Sequence, residues 1–270
     1  MKPGIVPLRP LGVGEILDGA ITAVRRAPSL LLASGAVAII TVFTNFGLQV
    51  LLQRSADATS TDVFRSLVIL VVGLVLTAIG NLVVAALAAV VVRDGVLGRP
   101  VPLDAAWREV RPRFGVVLGA AVLGALAWGG LAITIIGIPF AIYLYVAWRF
   151  ATVVAVVEGG TVGGVLKRSR RITSHRWWRT FGVLVLVAIV AGVVSEIITI
   201  PFAVVGGVGF LNGDSTLSTS ALAITAVGQL IATTLVTPFT VCASALLYID
   251  LRMRGEGLDV ALRQAAANPS

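Results

Sequence analysis

The stretch VLKRSRRITSHRWWRTFG, residues 165–182, decides how the rest of the chain is interpreted. It carries the densest positive charge of a very apolar sequence and lies between two long hydrophobic blocks. It contains six of the chain's 21 Lys and Arg residues, and two adjacent tryptophans stand among them. A cationic and aromatic segment in this position is typical of a loop at the cytoplasmic surface of a membrane.

The composition extends this interpretation to the whole chain. Its mean hydropathy is +1.00, and 57% of its residues are hydrophobic. Only 13% are charged, whereas an ordinary soluble domain has roughly 25%. No segment outside the hydrophobic blocks is long enough to bury a core of its own. We therefore expect one membrane domain over residues 1–257 and an amphipathic cytoplasmic tail over residues 258–270.

Six hydrophobic blocks are long enough to cross a bilayer, for which about 20 apolar residues are needed. The chain is therefore predicted to be all-α, a polytopic membrane protein with six transmembrane helices. Gly137, Ile138 and Pro139 separate the third block from the fourth and predict a tight turn, because proline disfavours helix at the preceding residue. The blocks span residues 29–52, 67–92, 116–136, 140–157, 181–204 and 221–248.

The cationic residues are distributed unequally between the two sides that these blocks define. Only Arg54 and Arg65 fall on one side, and Arg149 lies inside the fourth block. This asymmetry predicts that both termini are cytoplasmic, and the great excess of Arg over Lys suggests the plasma membrane of a bacterium. The other side has Lys2, Arg9, Arg25, Arg26, Arg93, Arg99, Arg108, Arg111, Arg113, Lys167, Arg168, Arg170, Arg171, Arg176, Arg179, Arg252, Arg254 and Arg263.

Short segments on the cytoplasmic side have the periodicity of amphipathic helices. Residues 11–26 place apolar side chains at helical spacing, and similar patterns follow Pro102, Thr161 and Gly257. We expect these helices to lie at the membrane interface, with Thr161 as a helix N-cap. One short helix before each pair of spans predicts a threefold repeat. Alternating topology with positive-inside loops produces the same layout without duplication.

The sequence is poor in residues that perform catalysis. His175 is the only histidine and Cys242 the only cysteine, and neither an HExxH nor a GxSxG motif occurs. Membrane hydrolases need paired carboxylates, a metal cluster or a nucleophile with its base. We therefore expect no catalytic residue, no metal site and no cofactor.

Four polar residues within the blocks are candidates for an intramembrane site. Glu196 is the one acid deep in a span, and Asn45 and Gln229 lie at a similar predicted depth. Such residues either bind a proton, an ion or a headgroup, or serve as hydrogen-bonded structural groups. Arg149 either pairs with a carboxylate or a lipid phosphate, or extends toward the interface from near the end of its span.

The opening stretch supplies candidate contacts to lipid headgroups. Basic side chains near an anionic leaflet contribute about 1 kcal/mol each, and indoles prefer the interface. Anionic lipids of the cytoplasmic leaflet are therefore the expected partners, through generic attraction or through a specific site, whereas nucleic acid is not expected. The candidates are Lys167, Arg168, Arg170, Arg171, Arg176, Trp177, Trp178 and Arg179.

Three segments carry a resemblance to a known family. PLRPLGVGEILDGAITAVRRAP (7–28), LKRSRRITSHRWWRTFG (166–182) and YIDLRMRGEGLDVAL (248–262) resemble the bacterial glycerophosphoryl diester phosphodiesterase membrane-domain family. Some members of that family carry a separate catalytic domain, whose histidines and metal-binding acids have no counterpart in this sequence. The resemblance therefore implies a link to membrane-lipid or envelope processes rather than phosphodiesterase activity.

Together these features predict a non-enzymatic membrane module that organises lipids or partner proteins. The alternative is a small transporter or channel-like protein that uses the polar residues inside the spans.

Overall fold

The computed structural model describes residues 6–7, 9–54, 60–99, 102–211 and 219–257. Every regular element within these ranges is helical, so the predicted all-α class is confirmed there. A 3₁₀ turn at Arg111–Arg113 joins the fourth and fifth helices. The α-helices are α1 (Val13–Arg26), α2 (Pro28–Arg54), α3 (Ser60–Val96), α4 (Leu103–Val110), α5 (Phe114–Ala132), α6 (Gly137–Trp148), α7 (Ala151–Val157), α8 (Val162–Ser174), α9 (Trp177–Leu211) and α10 (Thr219–Glu256).

Six stretches of the described residues are long and apolar enough to cross a membrane, and each overlaps one predicted block. Large apolar side chains are exposed along them, with Leu32 75% exposed and Ile135 87% exposed. Such a surface suits lipid rather than water. The stretches are Pro28–Gln49, Phe64–Val96, Leu103–Ala132, Gly137–Val157, Trp177–Gly206 and Thr219–Glu256. They indicate a multi-pass membrane protein, whereas the identity of the membrane and the side of each terminus stay predictions.

The fourth span differs from its prediction in two places. The turn before it occupies residues 133–136, so the turn predicted at Gly137–Pro139 is wrong by about one helical turn. Gly137 and Pro139 instead begin α6, because the first helical turn tolerates proline and a Cβ at Gly137 would overlap the Leu131 carbonyl. The span also breaks at Arg149 and Phe150, between α6 and α7.

Short helices precede each pair of spans, as the periodicity predicts. Thr161 caps α8, since its side chain accepts a hydrogen bond from the Gly164 N–H at 3.3 Å. The apolar side of α1 is covered by protein, with Ile16 and Ala20 fully buried. The interfacial position of α1, α4 and α8 stays a prediction, as does the threefold repeat. The predicted tail helix, 258–270, lies outside the described residues.

The chain divides into two compact units. The first comprises residues 1–30, 82–188 and 238–270, and its core includes the buried rings of Phe150 and Tyr248, whose centroids are 6.2 Å apart. The second comprises residues 31–81 and 189–237. Gly80 lets α3 approach α2 closely there, because an added Cβ would lie 2.7 Å from Val37 Cγ2.

Candidate functional site

The cationic stretch of residues 165–182 forms α8 and the beginning of α9 within the first unit. One face of α8 is buried, and on that face the Ser169 hydroxyl donates to the Ala147 carbonyl oxygen at 2.8 Å. The same buried face includes Val165, Leu166 and Thr173. This packing holds α8 against α6 and leaves most of its basic side chains at the surface.

Arg168 belongs to an ion-pair network. Its Nε donates to Glu158 Oε2 at 2.7 Å, and its Nη2 donates to Glu256 Oε2 at 2.8 Å. The Tyr248 hydroxyl donates to Glu158 Oε1 at 2.5 Å, and Arg252 Nε donates to Glu256 at 3.0 Å. The network ties α7 and α8 to the end of α10, so Arg168 has a structural role in addition to any contact with lipid.

The network determines how Glu158 titrates. Burial alone would raise the pKa of the Glu158 carboxyl, but hydrogen bonds from Arg168 and Tyr248 outweigh burial and lower the pKa below its ordinary value of 4.5. Hydrogen bonds to Glu256 and Glu158 raise the pKa of Arg168. Both groups are therefore charged at neutral pH.

This titration predicts an acid-sensitive contribution to stability. Because the folded pKa of Glu158 is lowered, the contribution is fully present above pH 4.5 and is lost as the pH falls through the folded pKa. Glu158→Gln should reduce the free energy of unfolding by about 2 kcal/mol at pH 7 and by less in acid. Thermal unfolding in one detergent from pH 7 to 3 measures the difference, and a difference that does not change with pH would contradict the prediction.

Arg179 is part of a second cluster, which surrounds the fully buried side chain of Asp250. Asp250 accepts hydrogen bonds from the Leu11 N–H at 2.8 Å, Arg179 Nη2 at 2.9 Å and Arg254 Nε at 2.8 Å. Both arginines also donate to the Leu11 carbonyl oxygen. Sequence reasoning missed Asp250; its only local signal is the spacing of four residues from Arg254.

The remaining basic side chains of α8 and the turn after it are exposed and make no ion pair with a described residue: Lys167, Arg170, Arg171 and Arg176. Arg170 lies over the Tyr143 ring at 5.9 Å. Arg171 and Arg176 instead border a cavity of about 370 Å³, which we call the cationic cavity. Its lining consists of Arg171, Ile172, His175, Arg176, Leu251, Arg252, Arg254, Gly255 and Glu256.

The cationic cavity has the chemistry of an anion site. Four guanidinium groups and one carboxylate line it. Arg252 and Arg254 are paired with Glu256 and Asp250, whereas Arg171 and Arg176 have no carboxylate partner among the described residues. Guanidinium groups bind phosphate through paired hydrogen bonds of fixed geometry. The charge of this lining therefore suits a phosphate group.

The two tryptophans have different surroundings. Trp177 stacks on Phe181 at 5.2 Å and on Tyr143 at 6.1 Å, and its indole N–H has no partner among the described residues. Trp178 is 78% exposed. Of this predicted pair, Trp178 is thus exposed, and its contact with lipid stays a prediction, whereas Trp177 mainly packs the helices together.

The predicted polar cluster of the second unit is brought together only in part. Asn45 and Gln229 line a cavity of about 20 Å³, and Glu196 is not among its lining residues. Glu196 is exposed, and its carboxylate lies 3.5 Å from the Thr199 hydroxyl. A cavity of this size holds about one water molecule.

Arg149 is placed in the first unit, at the break in the fourth span. Its Nη2 donates to Ser244 Oγ at 3.1 Å, and its guanidinium lies 5.9 Å from the Tyr145 ring centroid. It makes no ion pair with any carboxylate in the described residues. Of the two predicted partners for Arg149, the carboxylate is therefore not found within the described part of the chain.

Fold and site together define a multi-pass, all-helical membrane protein with a cationic cavity. The chain belongs to a family described as a domain of unknown function (DUF7847), whose sequence profile matches residues 11–251. No curated protein and no solved structure matches the chain. The comparisons give no support to the resemblance to the glycerophosphoryl diester phosphodiesterase membrane-domain family.

Proposed function

We propose that this protein is a non-enzymatic membrane module that binds anionic phospholipid headgroups in the cationic cavity and thereby organises lipids or partner proteins. The observation that carries the proposal is the pair Arg171 and Arg176, whose side chains border an open cavity without a carboxylate partner among the described residues. Unpaired guanidinium groups favour a phosphate ligand. The exposed ring of Trp178 nearby supports contact with the bilayer.

The proposed location is the plasma membrane of a bacterium, with both termini in the cytoplasm. The excess of Lys and Arg on one side supports this orientation. The cationic cavity then faces the cytoplasmic leaflet, which carries the anionic lipids of the membrane. The proposed location and the proposed anionic ligand are therefore both supported by the same distribution of Lys and Arg.

The test compares two double variants that remove the same charge. Arg171→Gln with Arg176→Gln removes both available cations of the cavity, whereas Lys167→Gln with Arg170→Gln removes two exposed cations of α8 outside it. At about 1.5–3 kcal/mol for each hydrogen bond to a charged group, the first should weaken phosphatidylglycerol binding at least about 100-fold, and more than the second. Native mass spectrometry of lipid titrations measures it. Equal losses in both variants would show generic attraction and contradict a specific cavity.

The non-enzymatic part of the proposal is supported by the surroundings of the single histidine. His175 Nδ1 lies 3.3 Å from Ser174 Oγ, but that hydroxyl also donates to the Arg171 carbonyl oxygen at 3.0 Å. No described carboxylate contacts the imidazole to orient it as the base of a catalytic triad. Phosphodiesterase activity of the purified chain that is lost in His175→Ala would contradict this part of the proposal.

The alternative function, a small transporter or channel-like protein, is supported by the cavity that Asn45 and Gln229 share. Its volume suits a water molecule rather than a larger solute. Proton-coupled flux in proteoliposomes that disappears in Glu196→Gln would favour this alternative. No flux above that of protein-free vesicles for the wild-type protein, together with loss of lipid binding in Arg171→Gln with Arg176→Gln, would contradict it.

A further inference from the structure

A second cavity, of about 330 Å³, lies in the first unit between α5 and the broken span formed by α6 and α7; we call it the Arg149 cavity. Small residues of α5 leave the space, and aromatic rings border it. Its lining consists of Ala120, Ala121, Gly124, Ala125, Trp128, Leu144, Tyr145, Trp148, Arg149, Ala151 and Thr152. Trp128 is 47% exposed and Tyr145 is 51% exposed, so the cavity opens to the outer surface of its unit.

Arg149 is the one charged residue of this lining, and its hydrogen bonding is incomplete. Its Nε is buried and has no acceptor among the described residues. The one side-chain hydrogen bond that it makes with a described residue goes to Ser244 Oγ, whose own proton is donated to the Thr240 carbonyl oxygen at 2.8 Å. A guanidinium group offers five N–H donors. An unpaired charge within a span is costly, so intramembrane cations normally have a partner.

The cavity is polar at one end and apolar at the other. Arg149 and Thr152 lie about 12 Å and about 8 Å by helical rise from the end of α7 at Val157. Trp128 lies about 21 Å along α5 from its beginning at Phe114. A phospholipid has the same order of groups, with its phosphate at one end and its acyl chains at the other.

We propose that the Arg149 cavity binds one phospholipid, with the phosphate paired to the Arg149 guanidinium and an acyl chain among Trp128, Leu144 and Trp148. The phosphate accepts hydrogen bonds from the guanidinium group and neutralises its charge. Arg149 lies at the break between α6 and α7, where it lines the cavity. This site is separate from the cationic cavity and does not depend on the function proposed for it.

The test uses the full chain, delipidated in detergent, with lipids added back and bound species counted by native mass spectrometry. Phosphatidylcholine is the probe because it carries the phosphate without net charge, and diacylglycerol and oleate of matching chain length are the comparison ligands. Phosphatidylcholine should bind the wild-type protein at least about 10-fold more tightly than diacylglycerol, since hydrogen bonds to charged groups contribute about 1.5–3 kcal/mol.

Two variants remove the site in different ways. Arg149→Gln removes the charge, and Gly124→Leu fills the cavity, because an added Cβ there is directed at the Trp148 ring at 3.9 Å. Each should weaken phosphatidylcholine binding at least about 10-fold. Gly130→Leu is the control, since it lies on the same helix with no atom near its added Cβ.

Several results would overturn the proposal. One is that Gly124→Leu binds phosphatidylcholine as tightly as Gly130→Leu does. The others are that the wild-type protein binds diacylglycerol as tightly as phosphatidylcholine, or binds oleate more tightly than both. The loss of phosphatidylcholine binding caused by Gly124→Leu should be the same with and without Arg171→Gln and Arg176→Gln, because Gly124 lines the Arg149 cavity and not the cationic cavity. Failure of this inference is therefore distinguishable from failure of the cationic cavity, for which phosphatidylglycerol is the probe.

Discussion

Asp250→Asn should lower the free energy of unfolding by about 3–5 kcal/mol, the largest effect expected for a single charge in this protein. Asparagine keeps the shape of the side chain but removes its charge. In the wild-type protein Arg179 and Arg254 each lie within 3.0 Å of Asp250. In the variant these two largely buried guanidinium groups would lie side by side without a carboxylate. The hydrogen bond that holds the Leu11 N–H to α10 would also weaken.

Thermal or SDS unfolding of the purified protein in one detergent measures this loss. Asp104→Asn is the matched control, because Asp104 also pairs with an arginine four residues away, Arg108, but is 72% exposed. Exposed pairs of this kind contribute little. Equal stability of Asp250→Asn and Asp104→Asn would show that the buried cluster does not hold the N-terminal segment to α10.

Phe150→Ala should lower the free energy of unfolding by about 3–5 kcal/mol. Phe150 is fully buried at the break in the fourth span and packs against Tyr248. In a membrane, lipid reduces the contribution from transfer of apolar surface out of water. The lost packing contacts and the resulting cavity still destabilise the fold.

Phe140→Ala is the control for this prediction, since Phe140 belongs to the same span but is 62% exposed. Its truncation removes lipid contacts and leaves the interior intact. Unfolding under the same conditions should therefore show a small change for Phe140→Ala and a large one for Phe150→Ala. Similar changes in both would contradict the view that packing at the break stabilises the fourth span.

Local signals in the sequence predict the six spans and the short helices before each pair of spans, but not the break between α6 and α7. Each span is a long apolar run, and α1 and α8 show helical periodicity beside suitable capping residues such as Thr161. The turn after α5 was misplaced because Gly137 and Pro139 are also compatible with the first turn of a helix. Local preference alone does not distinguish these two positions.

The contacts that shape the sites depend on residues far apart in the chain. The Leu11 N–H and the Asp250 carboxylate are separated by 239 positions, and no local sequence pattern predicts the hydrogen bond between them. Asp250 follows the last predicted block, so the sequence pattern favours Glu196 as the intramembrane acid. The side chain of Glu196 is exposed in the structure. The ion-pair partners of Arg168 and Arg179 are also not predictable from the sequence. A count of charged residues does not distinguish an arginine that is paired with a carboxylate from one that is unpaired.

The measurement that tests the central claim most directly is native mass spectrometry of the wild-type protein, extracted gently from its own membrane. The lipids released from the protein would be compared with the bulk lipids of the same membrane. If the cationic cavity binds anionic headgroups, anionic phospholipids will be enriched on the protein, and Arg171→Gln with Arg176→Gln will abolish the enrichment. Bound lipids in the same proportions as the bulk membrane, for wild type and variant alike, would contradict the claim.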